Sequence, residues 1–318
     1  MSLMDPPDHA QLRSPLRRML KNFETKAYGS AVKANLEKLL DPCLREETVD
    51  FAKLALHLPM LAVGDVIGIP NQAWHDIPAW TMAGVAPRDP VYASGNSART
   101  LRNAHFKLFS MLSEQVMGRR TEPQQDLITA LVELRLNGHP LVDDEILVNC
   151  YSLVMGANTT TPHVATHFVW AMAEQPDVWN AIRAGSVIDL DRCVREAVRW
   201  ATPTNHLLRR AKQDVEVGDE TVRAGDLVAA WPASGNRDEA IFTDPYVFDP
   251  ARSPNQHLAY AIGPHYCIGA PLANMVLTAL IELLRERVQS FEVAGDVRHV
   301  VSNFINGVTE LPVKLTRA

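Results

Sequence analysis

One cysteine lies in a setting that suits metal ligation. Cys267 follows a loop that contains glycine and proline and directly precedes a strongly helical stretch, whereas Cys43, Cys150 and Cys193 lie in apolar, helix-like segments. Unpaired backbone N–H groups and the positive end of the helix dipole stabilise a thiolate at a helix start. Gly269 lets a flat ligand approach the backbone closely. A thiolate presented in this way is a suitable axial ligand for haem iron.

The residues around Cys267 resemble the cysteine loop of the cytochrome P450 family. That loop reads Phe, two variable residues, Gly, a variable residue, His or Arg, a variable residue, Cys, a variable residue and Gly. Four positions match here: Gly263, His265, Cys267 and Gly269. Tyr260 replaces the usual Phe and keeps an aromatic ring beside the sulfur, while Ala261 replaces a common Gly. The resemblance implies haem b, bound through Cys267; the alternative is a helix-start cysteine that only packs.

A pair of opposite charges on a predicted helix extends the resemblance. Glu196 and Arg199 are three residues apart, and Pro203 follows them. Such a pair is common on exposed helix faces, where it contributes about 0.2–0.5 kcal/mol. The segment 236–252 then has the residue order and spacing found in P450 proteins. The resemblance implies a structural triad behind the haem, formed by Glu196, Arg199 and Arg252.

Four basic residues are candidates for binding the haem propionates: His9, Arg13, Arg209 and His265. His9 and Arg13 are four residues apart, so they share one face of the helix predicted to start after Pro6-Pro7. Arg209 belongs to an Arg-x-Ala segment before the predicted strands. Charge-assisted hydrogen bonds to two propionates offset the cost of burying them. The alternative for each residue alone is a solvated surface charge.

The predicted central helix contains Met155-Gly156-Ala157-Asn158-Thr159-Thr160, which is similar to the oxygen-binding segment of the family. The resemblance implies that Gly156 lets the helix run close to the iron and that Thr159 and Asn158 have catalytic roles. Asn158 stands where the family has a carboxylate, and an amide can orient water but cannot titrate. The alternative is that these threonines only bond back to the preceding turn.

Helical periodicity dominates the elements that position these residues. It predicts a mainly α fold with small β-sheets. The predicted helices are Asp50–Ile69 (with a break near Pro59), Ser97–Arg119, Asp126–Leu136, Asp143–Ala173 (kinked near Pro162), Pro176–Ala184, Leu190–Ala201 and Gly269–Val288. Two or three short strands are predicted between Leu207 and Pro232, with a turn at Gly218-Asp219, and a hairpin is predicted to turn near Asn306-Gly307.

Composition excludes several other classes of protein. The chain has 318 residues, 47% of them hydrophobic, and a net charge of −6. A general nucleic-acid binder needs a basic surface, so no nucleic-acid partner is expected. No apolar run is long enough for a membrane span, and no signal peptide opens the sequence, so we expect a cytoplasmic protein. The four cysteines form no CxxC pair, which argues against a zinc ribbon or a thioredoxin-like motif.

The resemblance implies a haem-thiolate monooxygenase that oxidises a small lipophilic substrate with dioxygen. Electrons would come from a ferredoxin or flavodoxin-type donor, and Arg17, Arg18 and Lys21 form a basic cluster where an acidic donor could dock. A solvated helix face is the alternative for that cluster. A peroxide-driven enzyme and a non-catalytic haem-binding or partner protein remain the alternatives for the whole chain. The resemblance begins at the family's C helix, so residues 1–318 are interpreted as one P450-like domain without the usual N-terminal region.

Overall fold

A computed structural model describes residues 1–185 and 189–318. Among these residues, most of those in regular secondary structure lie in α-helices. The helices are α1 (Asp8–Lys21), α2 (Lys26–Cys43), α3 (Phe51–Ala55), α4 (Leu58–Ile67), α5 (Ile77–Val85), α6 (Ser97–Thr121), α7 (Leu127–Glu133), α8 (Asp143–Asn158), α9 (Thr161–Glu174), α10 (Pro176–Ala184), α11 (Leu190–Ala201), α12 (Pro232–Gly235) and α13 (Ala270–Arg287). The mainly α architecture predicted from the periodicity is therefore confirmed.

The β part consists of short strands in small antiparallel sheets. The strands are β1 (Val49–Asp50), β2 (Arg135–Leu136), β3 (His139–Pro140), β4 (Leu207–Arg210), β5 (Val215–Val217), β6 (Glu220–Val222), β7 (Leu227–Ala230), β8 (Val288–Val293), β9 (Arg298–His299), β10 (Val308–Glu310) and β11 (Pro312–Arg317). Strand β11 lies between β1 and β8, and the other strands pair as β2–β3, β4–β7, β5–β6 and β9–β10.

The long central helix divides at a different place from the one predicted. The sequence predicts one helix over Asp143–Ala173 with a kink near Pro162. The structure contains α8 and α9, separated at Thr159 and Thr160, and Pro162 lies in the first turn of α9. A proline ring clashes with the carbonyl four residues earlier and offers no N–H to it, so the interruption falls before the proline. That carbonyl belongs to Asn158, the last residue of α8.

One further predicted break is confirmed, and one further helix ends earlier than predicted. The predicted helix Asp50–Ile69 is two helices, α3 and α4, as the break near Pro59 indicated. The predicted helix Asp126–Leu136 ends at Glu133, and its last two residues form β2 instead. Asn137 and Gly138 both have positive φ, +52° and +83°, which makes the tight two-residue turn of a hairpin with β3.

The C-terminal turn packs against the segment that follows α11. The predicted hairpin at Asn306-Gly307 is wider than expected, because Val308 pairs with His299 across the residues between them. The N–H of Asn205 donates to the Phe304 carbonyl at 2.8 Å, and Thr204 forms a bridge with Ile305. This pairing fixes the turn beside the start of β4, which carries Arg209.

The buried apolar residues form two main clusters on either side of α4 and α13. One cluster surrounds α9, α11 and α13 and extends to α2, α3, β8 and β11. The other joins α1, α4, α6, α7 and α8. The start of α13, where Cys267 lies, and the junction of α8 and α9 are therefore both held by packed helices. None of the helices described here is both long enough and apolar enough to cross a bilayer.

Candidate functional site

Cys267 lies between a single 3₁₀ turn, Gly263–His265, and the start of α13. Its N–H donates to the Tyr260 carbonyl at 2.8 Å, which closes the loop. Burial raises the pKa of the thiol, while hydrogen bonds from the N–H groups of Gly269 and Ala270 and the nearby charge of Arg13 act in the opposite direction. The N–H groups and the guanidinium would stabilise the negative charge of a thiolate. A metal ion at the sulfur deprotonates a coordinating thiol outright, so the position suits an iron ligand.

The four candidate propionate ligands lie close together, although they come from three parts of the chain. His9 on α1 is only 2% exposed, and the centre of its ring is 4.3 Å from that of His265. The pKa of His265 is lowered by burial and then by the charges of Arg209 and Arg13. The Arg13 guanidinium also donates to the carbonyl of Tyr266, next to Cys267. The sequence-based grouping of His9, Arg13, Arg209 and His265 therefore corresponds to one cluster.

The cluster contains a buried ring nitrogen that has no hydrogen-bond partner among the described residues. This nitrogen is His9 Nε2. Burial, followed by the charges of His265 and Arg13, lowers the pKa of His9. A carboxylate placed here would give His9 Nε2 a hydrogen-bond partner, and its charge would offset the repulsion among the basic groups. This donor set fits the propionates of a haem.

Asn158 and Thr159 lie at the end of α8 with their side chains turned into the protein. Asn158 is fully buried, and its Nδ2 donates to the Val154 carbonyl at 2.8 Å. The Thr159 hydroxyl donates to the Met155 carbonyl at 2.9 Å and is 3% exposed. Both side chains therefore bond back to their own helix, which is the alternative that the sequence left open for the threonine.

Thr160 has a different position, which the sequence analysis missed. Its hydroxyl donates to the Gly156 carbonyl at 3.1 Å, and its side chain is partly exposed. Gly156 is itself exposed, and a Cβ built on it meets nothing within 4 Å. Gly156 and Thr160 thus form an exposed surface that a ligand can approach closely, and this surface carries one hydroxyl group. The spacing of four residues between them places them on the same side of the helical path.

Glu196, Arg199 and Arg252 form the expected triad. Arg199 makes a bidentate contact with Glu196, with both N···O distances at 2.7 Å, and Arg252 Nε lies 3.1 Å from both carboxylate oxygens. The remaining N–H groups of Arg199 and Arg252 donate to carbonyls of the loop 236–247. Arginine hydrogen bonds lower the pKa of Glu196 against the opposing effect of burial. The triad therefore ties α11 to the long loop that leads to Cys267.

Comparison with known proteins identifies one family, both by a family model and by relatives that align over almost the whole chain. Residues 189–310 match the family model described as cytochrome P450. The chain is 32% identical to linalool 8-monooxygenase of Pseudomonas putida over 98% of its own length and 76% of that protein. It is also 30% identical to the steroid C26-monooxygenase of Mycolicibacterium smegmatis, over 99% of this chain and 73% of the other. The chain belongs to the cytochrome P450 family. A solved P450, OxyD, involved in the biosynthesis of vancomycin-type antibiotics, superposes with a TM-score of 0.89 at 29% identity, covering 99% of this chain and 79% of OxyD.

P450 proteins bind haem through a cysteine thiolate and act as oxidoreductases. The residues of this P450 fit that cofactor. Cys267 offers a sulfur with two N–H donors, His9 offers a buried nitrogen without an acceptor, and Gly156 offers an open helix face. No cluster of three His, Cys, Asp or Glu side chains that could hold a separate metal ion occurs in residues 1–185 or 189–318. On α9, His167 Nδ1 lies 2.7 Å from the His163 carbonyl, and His163 Nδ1 accepts from the N–H of Val308 at 3.4 Å.

Proposed function

We propose that this P450 is a haem-thiolate monooxygenase in which Cys267 is the axial ligand of haem b. One observation carries the proposal most directly. Cys267 lies directly before α13, where the backbone N–H groups of Gly269 and Ala270 act to lower the pKa of its thiol against the effect of burial, and the charges of Arg13 and Arg209 act on the same region of the loop. A thiolate can bind the haem iron, and a neighbouring basic cluster can bind the haem propionates. The site therefore offers a partner for each of these two parts of the haem.

Each group has a defined task on the side of the haem that carries Cys267. The N–H groups of Gly269 and Ala270 hold negative charge on the sulfur. His9, Arg13, Arg209 and His265 orient the haem through its propionates. The haem, when bound, supplies the chemistry that activates dioxygen.

We propose that Thr160 is the hydroxyl on the side of the bound haem away from Cys267, where its Oγ1, which donates its own proton to the Gly156 carbonyl, would accept a hydrogen bond from a water that delivers protons. Its bond to the Gly156 carbonyl fixes the direction of its Oγ1 on the open helix face. Asn158 and Thr159, which the resemblance placed in this role, then act by shaping the break between α8 and α9. Their side chains donate to the carbonyls of Val154 and Met155, and the Met155 carbonyl also accepts from the N–H of Thr159.

The proposed substrate is a small lipophilic molecule. The ring of His206 lies edge-on to those of Trp231 and Phe304, with centroid distances of 5.5 and 5.7 Å. These rings, with the turn at Phe304 and Ile305, give an aromatic and apolar wall beside β4. The names of two relatives support the class, because linalool is a terpene alcohol and the other substrate is a steroid.

We propose that a separate, acidic electron donor of the ferredoxin or flavodoxin type docks beside the Cys267 loop. The charges of Arg17 on α1 and Arg195 on α11 both act on the pKa of Tyr266, so both guanidiniums lie near this loop. Arg17 and Arg18 are exposed. A basic rim next to the thiolate attracts an acidic partner and shortens the electron path.

A peroxide-driven enzyme is the second candidate function. The favouring observation is that the helical segment 146–173 contains no Asp or Glu, so no carboxylate is available there to pass protons. Peroxide brings its own protons and electrons, which removes the need for that path and for a redox partner.

The test is turnover with a panel of terpene alcohols and sterols under two regimes. We expect product from dioxygen with ferredoxin, its reductase and a nicotinamide donor, and substrate-induced shifts of the Soret band for the compounds that react. Cys43→Ser serves as the matched cysteine control, because Cys43 lies in α2, and it should retain turnover, whereas Cys267→Ala should lose it. Product with peroxide alone would favour the second candidate, and product in neither regime would refute both.

A further inference from the structure

Two adjacent residues of the cysteine loop depart together from the family pattern. Tyr260 stands where the family has Phe, and Ala261 stands where it commonly has Gly. They lie six and seven residues before Cys267, inside the loop that the N–H of Cys267 closes by donating to the Tyr260 carbonyl. A change in either residue is therefore transmitted to the sulfur through a single backbone hydrogen bond.

Ala261 occupies a backbone conformation that favours glycine. Its φ is +58°, whereas Gly263, two residues later, adopts φ +72° as a glycine. In the left-handed region the Cβ of a non-glycine residue lies too close to the following carbonyl oxygen, which costs free energy. The loop therefore retains the geometry that a glycine would support, but holds it with an alanine.

The additional hydroxyl of Tyr260 is bonded to α13. It donates to Asn274 Oδ1 at 2.7 Å, and both side chains are partly buried. The ring of Tyr260 also lies edge-on to the rings of His257 and Tyr266, at 5.4 and 6.0 Å. Asn274 lies in α13, the helix that begins three residues after Cys267. The Tyr260–Asn274 bond therefore joins the residue before the strained position to the helix that holds the thiolate.

We propose that Tyr260, through Asn274, is a positioning residue that holds the Cys267 loop closed against the backbone strain at Ala261. The inference rests on the proposed role of Cys267 as the haem ligand. Phe at this position would supply the ring but not the bond to α13. With that bond absent, Ala261 can relax toward negative φ, which moves the Tyr260 carbonyl and withdraws the sulfur from the N–H groups of Gly269 and Ala270.

The first experiment follows the thiolate-type spectrum of the reduced CO complex of the holoenzyme as it converts to the thiol-ligated form in mild denaturant. We expect Tyr260→Phe and Asn274→Ala each to accelerate the conversion about fivefold, which corresponds to the net contribution of one hydrogen bond. The double variant should be no faster than either single variant. Ala261→Gly should restore the wild-type rate in the Tyr260→Phe background. Tyr266→Phe, which removes a phenolic hydroxyl beside Cys267 without touching Asn274, is the matched control and should leave the rate unchanged.

The second experiment reads the loop without the cofactor. In the haem-free full chain, peptide mapping measures alkylation of Cys267 by a neutral reagent relative to Cys43 in the same sample. Tyr260→Phe should raise the Cys267 rate about fivefold while the free energy of global unfolding changes little. Unchanged rates in Tyr260→Phe, or an acceleration by Ala261→Gly, would overturn the inference. If the wild type gave no thiolate-type spectrum, the proposed function would fail, while the alkylation rates would still decide the role of Tyr260.

Discussion

At the residue scale, three consecutive polar side chains at the junction of α8 and α9 have different surroundings. Asn158 and Thr159 are buried and bond to carbonyls one turn back. Thr160 shares the open face of Gly156. The family pattern predicts the catalytic role for Thr159, whereas our proposal for Thr160 rests on its exposure, because the sequence alone does not show on which side of the helix each residue of a Thr-Thr-Thr run lies. The direction of a side chain depends on where the helix is interrupted, and that is a property of the packed structure.

Replacing Thr160 tests this assignment. We expect Thr160→Ala to lower the product formed per nicotinamide consumed by about tenfold, toward the lower end of what positioned proton donors contribute. Thr159→Ala is the matched control: it should retain coupling and lower the free energy of unfolding by about 1 kcal/mol, since it removes one buried hydrogen bond. The measurement is product against nicotinamide oxidised, and equal coupling in the two variants would argue against Thr160.

At the scale of elements, α11 carries a buried ion pair and an exposed one. Glu196 and Arg199 are both fully buried, and Arg252 adds a second guanidinium. Asp191 and Arg195, on the same helix, form a pair in which both side chains are 55% exposed. Breaking a buried pair leaves an uncompensated charge, whereas exposed pairs contribute little.

Glu196→Gln should therefore lower the free energy of unfolding by about 3–5 kcal/mol, because it leaves two buried guanidiniums without their carboxylate. Asp191→Asn, the control on the same helix, should change it by less than about 1 kcal/mol. Urea unfolding followed by circular dichroism measures both. Similar effects in the two variants would show that the triad does not hold the loop.

Helix α9 has two buried histidines, and they make stability depend on pH. Burial lowers the pKa of His163 to about 3 and that of His167 to about 4. Between these values and about 6.5, the unfolded chain binds more protons at these residues than the folded chain. The free energy of unfolding therefore falls as the pH decreases from about 6.5 toward 4, by up to about 1.4 kcal/mol per pH unit for each histidine.

His163→Gln should reduce the slope of the unfolding free energy against pH by up to about 1.4 kcal/mol per pH unit, which is the contribution of one proton. His139→Gln, in the exposed β3 strand, is the control for the substitution itself. Urea midpoints between pH 7 and pH 5 provide the measurement. A slope that is the same in the His163 variant and in the wild type would mean that this histidine does not stay neutral in the fold.

Local patterns predicted several elements of this fold well, and the reasons are visible in particular residues. Leu190–Ala201 has the predicted bounds, because its apolar positions recur at helical spacing and Asp189 caps its first turn. The break at Thr159–Thr160 lies slightly before the kink predicted near Pro162, because the proline acts on the carbonyl one turn back. The hairpin after Glu133 was not predicted, because its turn ends the helix early. Helix α2 was also missed, although it contributes Val32, Leu36 and Leu40 to the core.

In the site, too, some residues could be predicted from the local sequence and others could not. Cys267 and the charged residues around it could be found from type and order, because a cysteine loop and a set of His and Arg residues leave a recognisable pattern. The Tyr260–Asn274 bond could not, because Asn274 has no distinctive neighbours in sequence and meets Tyr260 only when the loop folds onto α13.

At the scale of the whole molecule, the distribution of charge matters more than its sum. The net charge is −6, yet Arg13, Arg17 and Arg195 lie around the loop of Cys267. An acidic electron donor would thus be repelled by the molecule as a whole and attracted to one region. Such local attraction orients the partner and is weakened by salt.

Arg17→Glu should raise the KM for a ferredoxin about tenfold at low ionic strength and leave kcat nearly unchanged, because it alters encounter and not chemistry. The difference from wild type should shrink at about 0.5 M salt, where the Debye length is only a few Å. Arg102→Glu is the control of equal charge change, on an exposed position of α6. An equal rise in KM for both variants would mean that net charge alone governs docking.

The identity of the iron ligand is the claim on which the other roles depend. The direct measurement is the Soret band of the haem-loaded chain after reduction with dithionite under CO. We expect the red-shifted band of thiolate ligation in the wild type and in Cys43→Ser, and its loss in Cys267→Ala. The band persisting in Cys267→Ala, or no thiolate-type band in the haem-loaded wild type, would contradict the assignment of Cys267.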